Sequence, residues 1–127
     1  MPRFVILTHD WPTAHFDLLL EYGDVLRSWR LLAEPRVGVT VPAEAMADHR
    51  RLYLDYEGKV SGGRGIVARY LAGEFDGDVS GSDWAVTLTM ATGEVWLATL
   101  SPGEFQREIC DSPRKSGVAE RSPVGGD

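Results

Sequence analysis

The sequence is poor in several things, and each shortage excludes a class of protein. It has one cysteine, Cys110, among 127 residues, so no disulfide can form within the chain, which fits a reducing, cytoplasmic setting. No apolar run approaches the roughly 18 to 20 residues that cross a bilayer as a helix. The opening MPRFVILTHD holds only a short apolar run, too brief for a signal-peptide core, and reads as a first strand. Positive charge is scarce as well: the formal net charge is −6, which argues against indiscriminate nucleic-acid binding. Residues 25–71 nevertheless carry eight Arg/Lys against five Asp/Glu, and residues 72–111 one against eight. One mildly basic face is therefore possible on an acidic protein.

Helical periodicity is also nearly missing. Seven segments alternate apolar and polar residues as strands do: RFVIL, HFDLLLEY, VLRSWRLL, LYLDY, IVARYLAGEF, WAVTLTM and EVWLATL. The dipeptide GD and the loop ATG read as hairpin turns between consecutive segments. Only PAEAMADHRR, rich in alanine and without alternation, predicts a short helix near residues 43–49. Short strands with tight turns imply a mainly β fold, a compact closed or nearly closed antiparallel β-barrel with one short helix. The expected domain covers residues 1–105. From Gln106 onward Ser, Pro, Gly and mixed charge take over, predicting a flexible tail over 106–127.

What is present is concentrated. Two of the three histidines fall six residues apart in LTHDWPTAHFDLLLE, with Asp17 two places further on. On a strand, His15 and Asp17 project from one face, roughly 7 Å apart at Cα. His9 ends the preceding strand and converges on the same point if the two strands are neighbours. Two imidazoles and a carboxylate suit a divalent transition metal and leave coordination positions open for a substrate oxygen or water. A His-x-Asp pair on a strand also commonly makes only a local hydrogen bond, and spacing does not decide between the two.

The third histidine, His49, stands in ADHRRLYLDYEG with Tyr53 four residues on. An imidazole, a phenol and nearby guanidinium groups can bind or protonate a phosphate oxygen; a solvated histidine is the plainer alternative. Arg64 lies in SGGRG, where glycines permit close backbone approach to a ligand. That stretch is not a P-loop, since it lacks the GK[ST] ending and a following helix. Asp10, beside His9, is either a hydrogen-bond partner for an imidazole or the residue that starts the turn at DWP.

These blocks taken together resemble the 3′-phosphoesterase domain of bacterial DNA ligase D and its free-standing relatives, from about Phe4 to Leu100. The resemblance rests on HD followed by HFDLLLE, then GDVLRSW, then DHRRLYLDYEG. It implies a compact β-barrel that uses a divalent metal, typically Mn2+, and trims the 3′ ends of DNA. By that resemblance His9, His15 and Asp17 are the metal ligands, and His49 and Tyr53 the catalytic pair at the scissile phosphate. It also raises a separately encoded DNA ligase as a partner.

The chain departs from the family pattern at Leu19, where relatives carry a phosphate-holding arginine. Val41 stands for a second arginine and Ala33 for a usual lysine. Arg64, Arg51 and Arg30 are the candidates to compensate from other strands. Three functions stay open on the sequence: a metal-dependent 3′-phosphoesterase, a metal-binding accessory barrel in DNA repair, and a phosphoesterase acting on a small nucleotide.

Overall fold

The computed structural model describes residues 1–109; Cys110 and most of the expected tail lie outside them. The described chain is mainly strand. Its elements are β1 (Arg3–His9), β2 (His15–Tyr22), β3 (Val25–Leu31), β4 (Val41–Arg50), β5 (Gly58–Lys59), β6 (Ile66–Asp76), β7 (Trp84–Met90), β8 (Val95–Ser101) and β9 (Glu104–Ile109). A single 3-10 turn, Arg51–Leu54, follows β4. Among the described residues no helix is long and apolar enough to cross a membrane.

The strands form one antiparallel sheet in the order β1-β2-β3-β4-β9-β8-β7-β6-β5, and β1 also pairs with β6. Eight strands thereby close into a ring, with β5 as an extra rung on β6. The mainly β, closed antiparallel arrangement expected from the alternation is present. Alternation also explains why the ring has two apolar layers. Phe4 and Ile6 of β1, Leu18 and Leu20 of β2, and Trp29 and Leu31 of β3 join residues from the opposite strands in a large interior core. The other parity of the same strands, Val5, Leu7, Leu19 and Leu26, packs outside the ring against Leu54 and Val67. A two-residue period with both faces apolar means that this wall is covered on both sides.

The outer cover is fastened by charge. Arg51 donates to the Gly23 carbonyl and pairs with Glu21. Arg3 pairs with Asp55 at 2.6 Å, and this hydrogen bond holds the Asp55 carboxyl below its ordinary value. These contacts pin the two ends of the 3-10 turn onto β1 and the β2–β3 hairpin.

Three sequence expectations are corrected. The helix near 43–49 is instead part of β4, where Ala43, Glu44, Ala45 and Met46 pair with Leu31, Arg30, Trp29 and Ser28. A helical preference of a few tenths of a kcal/mol per residue yields to a ladder that completes the ring. LYLDY, expected as a strand, is mostly the 3-10 turn, and its Leu54 is the apolar plug of the outer layer. The tail expected from Gln106 begins inside β9, which runs to Ile109 and pairs with β8 along its length. Arg107 is buried there, its guanidinium carbon 3.4 Å from the centre of the Trp96 ring. Burial of a long stem under a stacked guanidinium makes a polar-looking segment part of the core.

Candidate metal centre and phosphate cleft

The β1–β2 ladder sets His9 directly opposite His15, and Leu7 opposite Asp17. His9, His15 and Asp17 therefore gather at one end of the outer face, with ligand-capable atoms all within 4.8 Å of one another. His15 and Asp17 are buried and His9 is half-buried.

The hydrogen bonds of the two rings decide what the cluster can hold. His15 Nδ1 lies 2.8 Å from the Thr13 carbonyl, and His9 Nε2 lies 2.8 Å from the Arg64 carbonyl. A carbonyl oxygen only accepts, so each neutral ring spends its one N–H there. The opposite nitrogens then carry bare lone pairs. His9 Nδ1 is 3.2 Å from Asp17 Oδ2, and His15 Nε2 is 3.2 Å from Asp17 Oδ1. Three electron-rich atoms face one another in a nearly dry place, and His15 Nε2 has no hydrogen-bond partner at all. Positive charge is what such a set needs: protons on the imidazoles, or a cation shared by all three. Carbonyl-anchored imidazoles with a carboxylate are the donor chemistry of a divalent transition-metal site, and the residues present fit one.

A cleft of about 360 Å³ opens beside the cluster. His9, Asp17, Arg30, His49, Tyr53 and Arg64 are among the residues that line it. His49 reaches this face through a bulge. Ser28 pairs with Met46 but Leu26 pairs with His49, so β4 spends three residues where β3 spends two. The extra residue reverses the parity of β4, and odd-numbered His49 comes onto the face that Glu44 and Met46 occupy before the bulge. His49 Nδ1 donates to the Ala47 carbonyl at 3.1 Å, leaving Nε2 as the free, basic nitrogen. Tyr53 meets the His49 ring edge-on, centroids 5.7 Å apart.

The three candidate arginines part company. Arg30 is the cross-strand partner of Asp17, lines the cleft, and has a buried Nε without a partner. Arg64 also lines the cleft, but its side chain folds back onto Ser61, and its backbone carbonyl serves His9. Arg51 does not line the cleft; it is committed to Glu21 and Gly23. Leu19 is fully buried in the outer apolar layer, so this position forms part of the packing beneath the site.

Asp10 makes neither imidazole contact. Its Oδ1 accepts the Ile66 N–H at 2.8 Å and so ties the end of β1 to the loop that carries the Arg64 carbonyl. The partners of the imidazoles are thus backbone atoms of Thr13 and Arg64, which no side-chain motif announces. Arg50 and Trp11 also line the cleft. Arg50 sits in the HRR run; for Trp11 the sequence offers only adjacency to HD.

Residues 7–107 match the family model of the DNA ligase D 3′-phosphoesterase domain. No curated protein matches the chain.

Proposed function

Because the chain belongs to the DNA ligase D 3′-phosphoesterase domain family, we propose that it is a metal-dependent phosphoesterase acting on phosphorylated 3′ ends of DNA. The observation that carries this reading is the pair of bare imidazole nitrogens, each 3.2 Å from the Asp17 carboxylate, at the edge of a cleft lined by Arg30, His49 and Tyr53. His9, His15 and Asp17 would hold a divalent cation, Mn2+ by resemblance to the family. When bound, that cation supplies Lewis acidity to a non-bridging phosphate oxygen.

The chain's own residues do the rest. Arg30 donates to the phosphate from the strand next to the metal ligands, replacing from β3 the arginine that Leu19 cannot supply. Arg30 lines the cleft, and a guanidinium is suited to two phosphate oxygens at once. His49 Nε2 is free to accept a proton from the attacking water or to return one to the leaving oxygen. Tyr53 holds the His49 ring from its edge and offers a phenolic O–H to the same phosphate. The outer apolar layer under the cleft keeps bulk water from the floor, which strengthens each of these interactions.

A reducing cytoplasm suits a chain with one cysteine, and a separately encoded ligase would take the 3′-hydroxyl end that the reaction leaves. The test is phosphate release from a 3′-phosphorylated oligonucleotide in the presence of Mn2+, compared with a 3′-mononucleotide. Release from the oligonucleotide, lost in His15→Ala, is the expected result. Turnover of the mononucleotide alone would move the function to small nucleotides, and binding of the metal without turnover of either would make the protein an accessory.

A further inference from the structure

We infer that Trp11 is a stacking platform for the base of the terminal nucleotide, a positioning residue that decides which phosphate esters the cleft holds. The inference rests on the proposed 3′-end substrate and specifies how the rest of that substrate is gripped.

The chain has four tryptophans, and three are occupied within the fold. Trp29 and Trp84 are 3% and 8% exposed and meet edge to face at 5.4 Å. Trp96 is 4% exposed beneath the Arg107 guanidinium. Trp11 alone stands out, 44% exposed, and it lines the same cleft as His9, Asp17 and His49. Leaving a large apolar ring half in water contributes little to folding.

Its backbone is not loose. Gly65 packs so closely that a Cβ there would sit 2.6 Å from the Trp11 Cβ, and Asp10, the preceding residue, is fixed by the Ile66 N–H. An exposed indole on a fastened backbone, two residues from a metal-ligand candidate, offers a flat face at low ordering cost.

Charge makes such a platform useful. A protein of net charge −6 gains little DNA affinity from counterion release. Base stacking on an aromatic ring is sequence-tolerant and does not depend on net charge. A phosphate end carrying a base is then distinguished from one without.

The experiment uses product strands, on which no chemistry occurs. A 3′-hydroxyl oligonucleotide is compared with the same strand ending in an abasic residue, by fluorescence anisotropy of a 5′-labelled strand titrated with the full chain, with tryptophan quenching recorded alongside in wild type. Wild type is expected to bind the base-ended strand about ten-fold more tightly, with quenching. Trp11→Ala should bind both strands equally, and Trp11→Phe should keep part of the preference. Raising the salt should affect both strands equally and leave their ratio unchanged. A preference that survives in Trp11→Ala, or the absence of any preference in wild type, overturns the platform. Phosphate release from the 3′-phosphorylated strand is measured separately. If Trp11 governs binding but no phosphate is released, the esterase reading fails and the platform stands. If phosphate is released without any base preference, the reverse holds.

Discussion

His15 Nε2 faces Asp17 Oδ1 at 3.2 Å while the ring's other nitrogen is held by the Thr13 carbonyl at 2.8 Å. In the neutral ring the backbone therefore sets the tautomer, and the Nε2 lone pair faces the carboxylate. A divalent cation held by His9, His15 and Asp17 would relieve the resulting repulsion in the folded state only. Ligand linkage then predicts a rise in unfolding free energy of about 2.7 kcal/mol when free metal reaches a hundred times its dissociation constant. Thermal unfolding with Mn2+, before and after chelation, should show this as a higher Tm with metal. His15→Ala and Asp17→Asn should abolish the increment. An equal increment in wild type and His15→Ala would place the metal elsewhere.

Arg30 and Arg51 should separate cleanly. Arg30 lines the cleft with a partnerless Nε, whereas Arg51 fastens the 3-10 turn to Glu21 and Gly23. Loss of a donor aimed at developing phosphate charge costs on the order of 10²–10³ in rate. Arg30→Ala should lower kcat/KM by about that factor with little change in Tm. Arg51→Ala should lower Tm by a small amount and leave the chemical step close to wild type. Arg64→Ala should fall between them, because the His9 anchor is its backbone carbonyl and survives the substitution. Wild-type turnover in Arg30→Ala would end the proposal that β3 replaces the arginine missing at Leu19.

His49 tests the bulge as well as the base. Removing a general acid–base group typically costs on the order of 10²–10⁴ in rate, and His49→Ala should lose that much. Tyr53→Phe keeps the edge-on ring contact and removes only the hydroxyl, so its loss should be smaller. Deleting Ala47 should give β3 and β4 a regular two-for-two pairing between Met46 and His49, which keeps His49 on the cleft face. Circular dichroism should then report an intact sheet and activity should stay well above that of His49→Ala; a loss as large as in His49→Ala would show that the bulge itself, and not only the face, places the ring.

What the sequence could and could not announce follows from the range of the forces involved. Alternation in HFDLLLEY puts His15 and Asp17 on one face because a two-residue period is local, and the structure keeps that register. The helix expected at 43–49 fails because the ladder to β3 is a long-range interaction invisible in alanine content. The bulge that brings His49 to the cleft has no composition of its own, since it exists only as a mismatch between two strands. Arg30 could be nominated as a cation near the site, yet its place opposite Asp17 depends on the pairing of β2 with β3. The anchoring carbonyls of Thr13 and Arg64 lie deeper still, because every residue has a carbonyl and only the fold selects these two.

Acid should loosen the cover over the site before it unfolds the ring. The Arg3 hydrogen bond holds the Asp55 carboxyl below its ordinary value of 3.8. A depressed folded-state value means the contribution is fully present above the unfolded value and is lost as pH falls through the folded one. The Tm difference between wild type and Asp55→Asn should thus be constant near neutrality and vanish at the acid end, below 3.8. Both partners are exposed, so the difference should be small and should shrink in high salt. A gap that persists in strong acid would mean that the asparagine acts through something other than lost charge.

Gly65 is where the scaffold of the site is least forgiving. It has φ +81°, and an added Cβ would meet the Asp10 carboxylate and lie 2.6 Å from the Trp11 Cβ. Relief is possible only by moving the turn at Trp11 or the loop that carries the Arg64 carbonyl. The left-handed conformation adds a cost of roughly 1–3 kcal/mol for a side-chain-bearing residue. Gly65→Ala should therefore lower Tm and also weaken metal binding, because the same loop fixes the His9 tautomer through the 2.8 Å contact. Gly63 has a positive φ too, but no atoms crowd its Cβ position, so Gly63→Ala carries the backbone cost without the displacement. Metal affinity measured by titration in the two variants separates the effects: it should fall in Gly65→Ala and hold in Gly63→Ala. Equal affinities would show that the loop around residue 65 does not position His9.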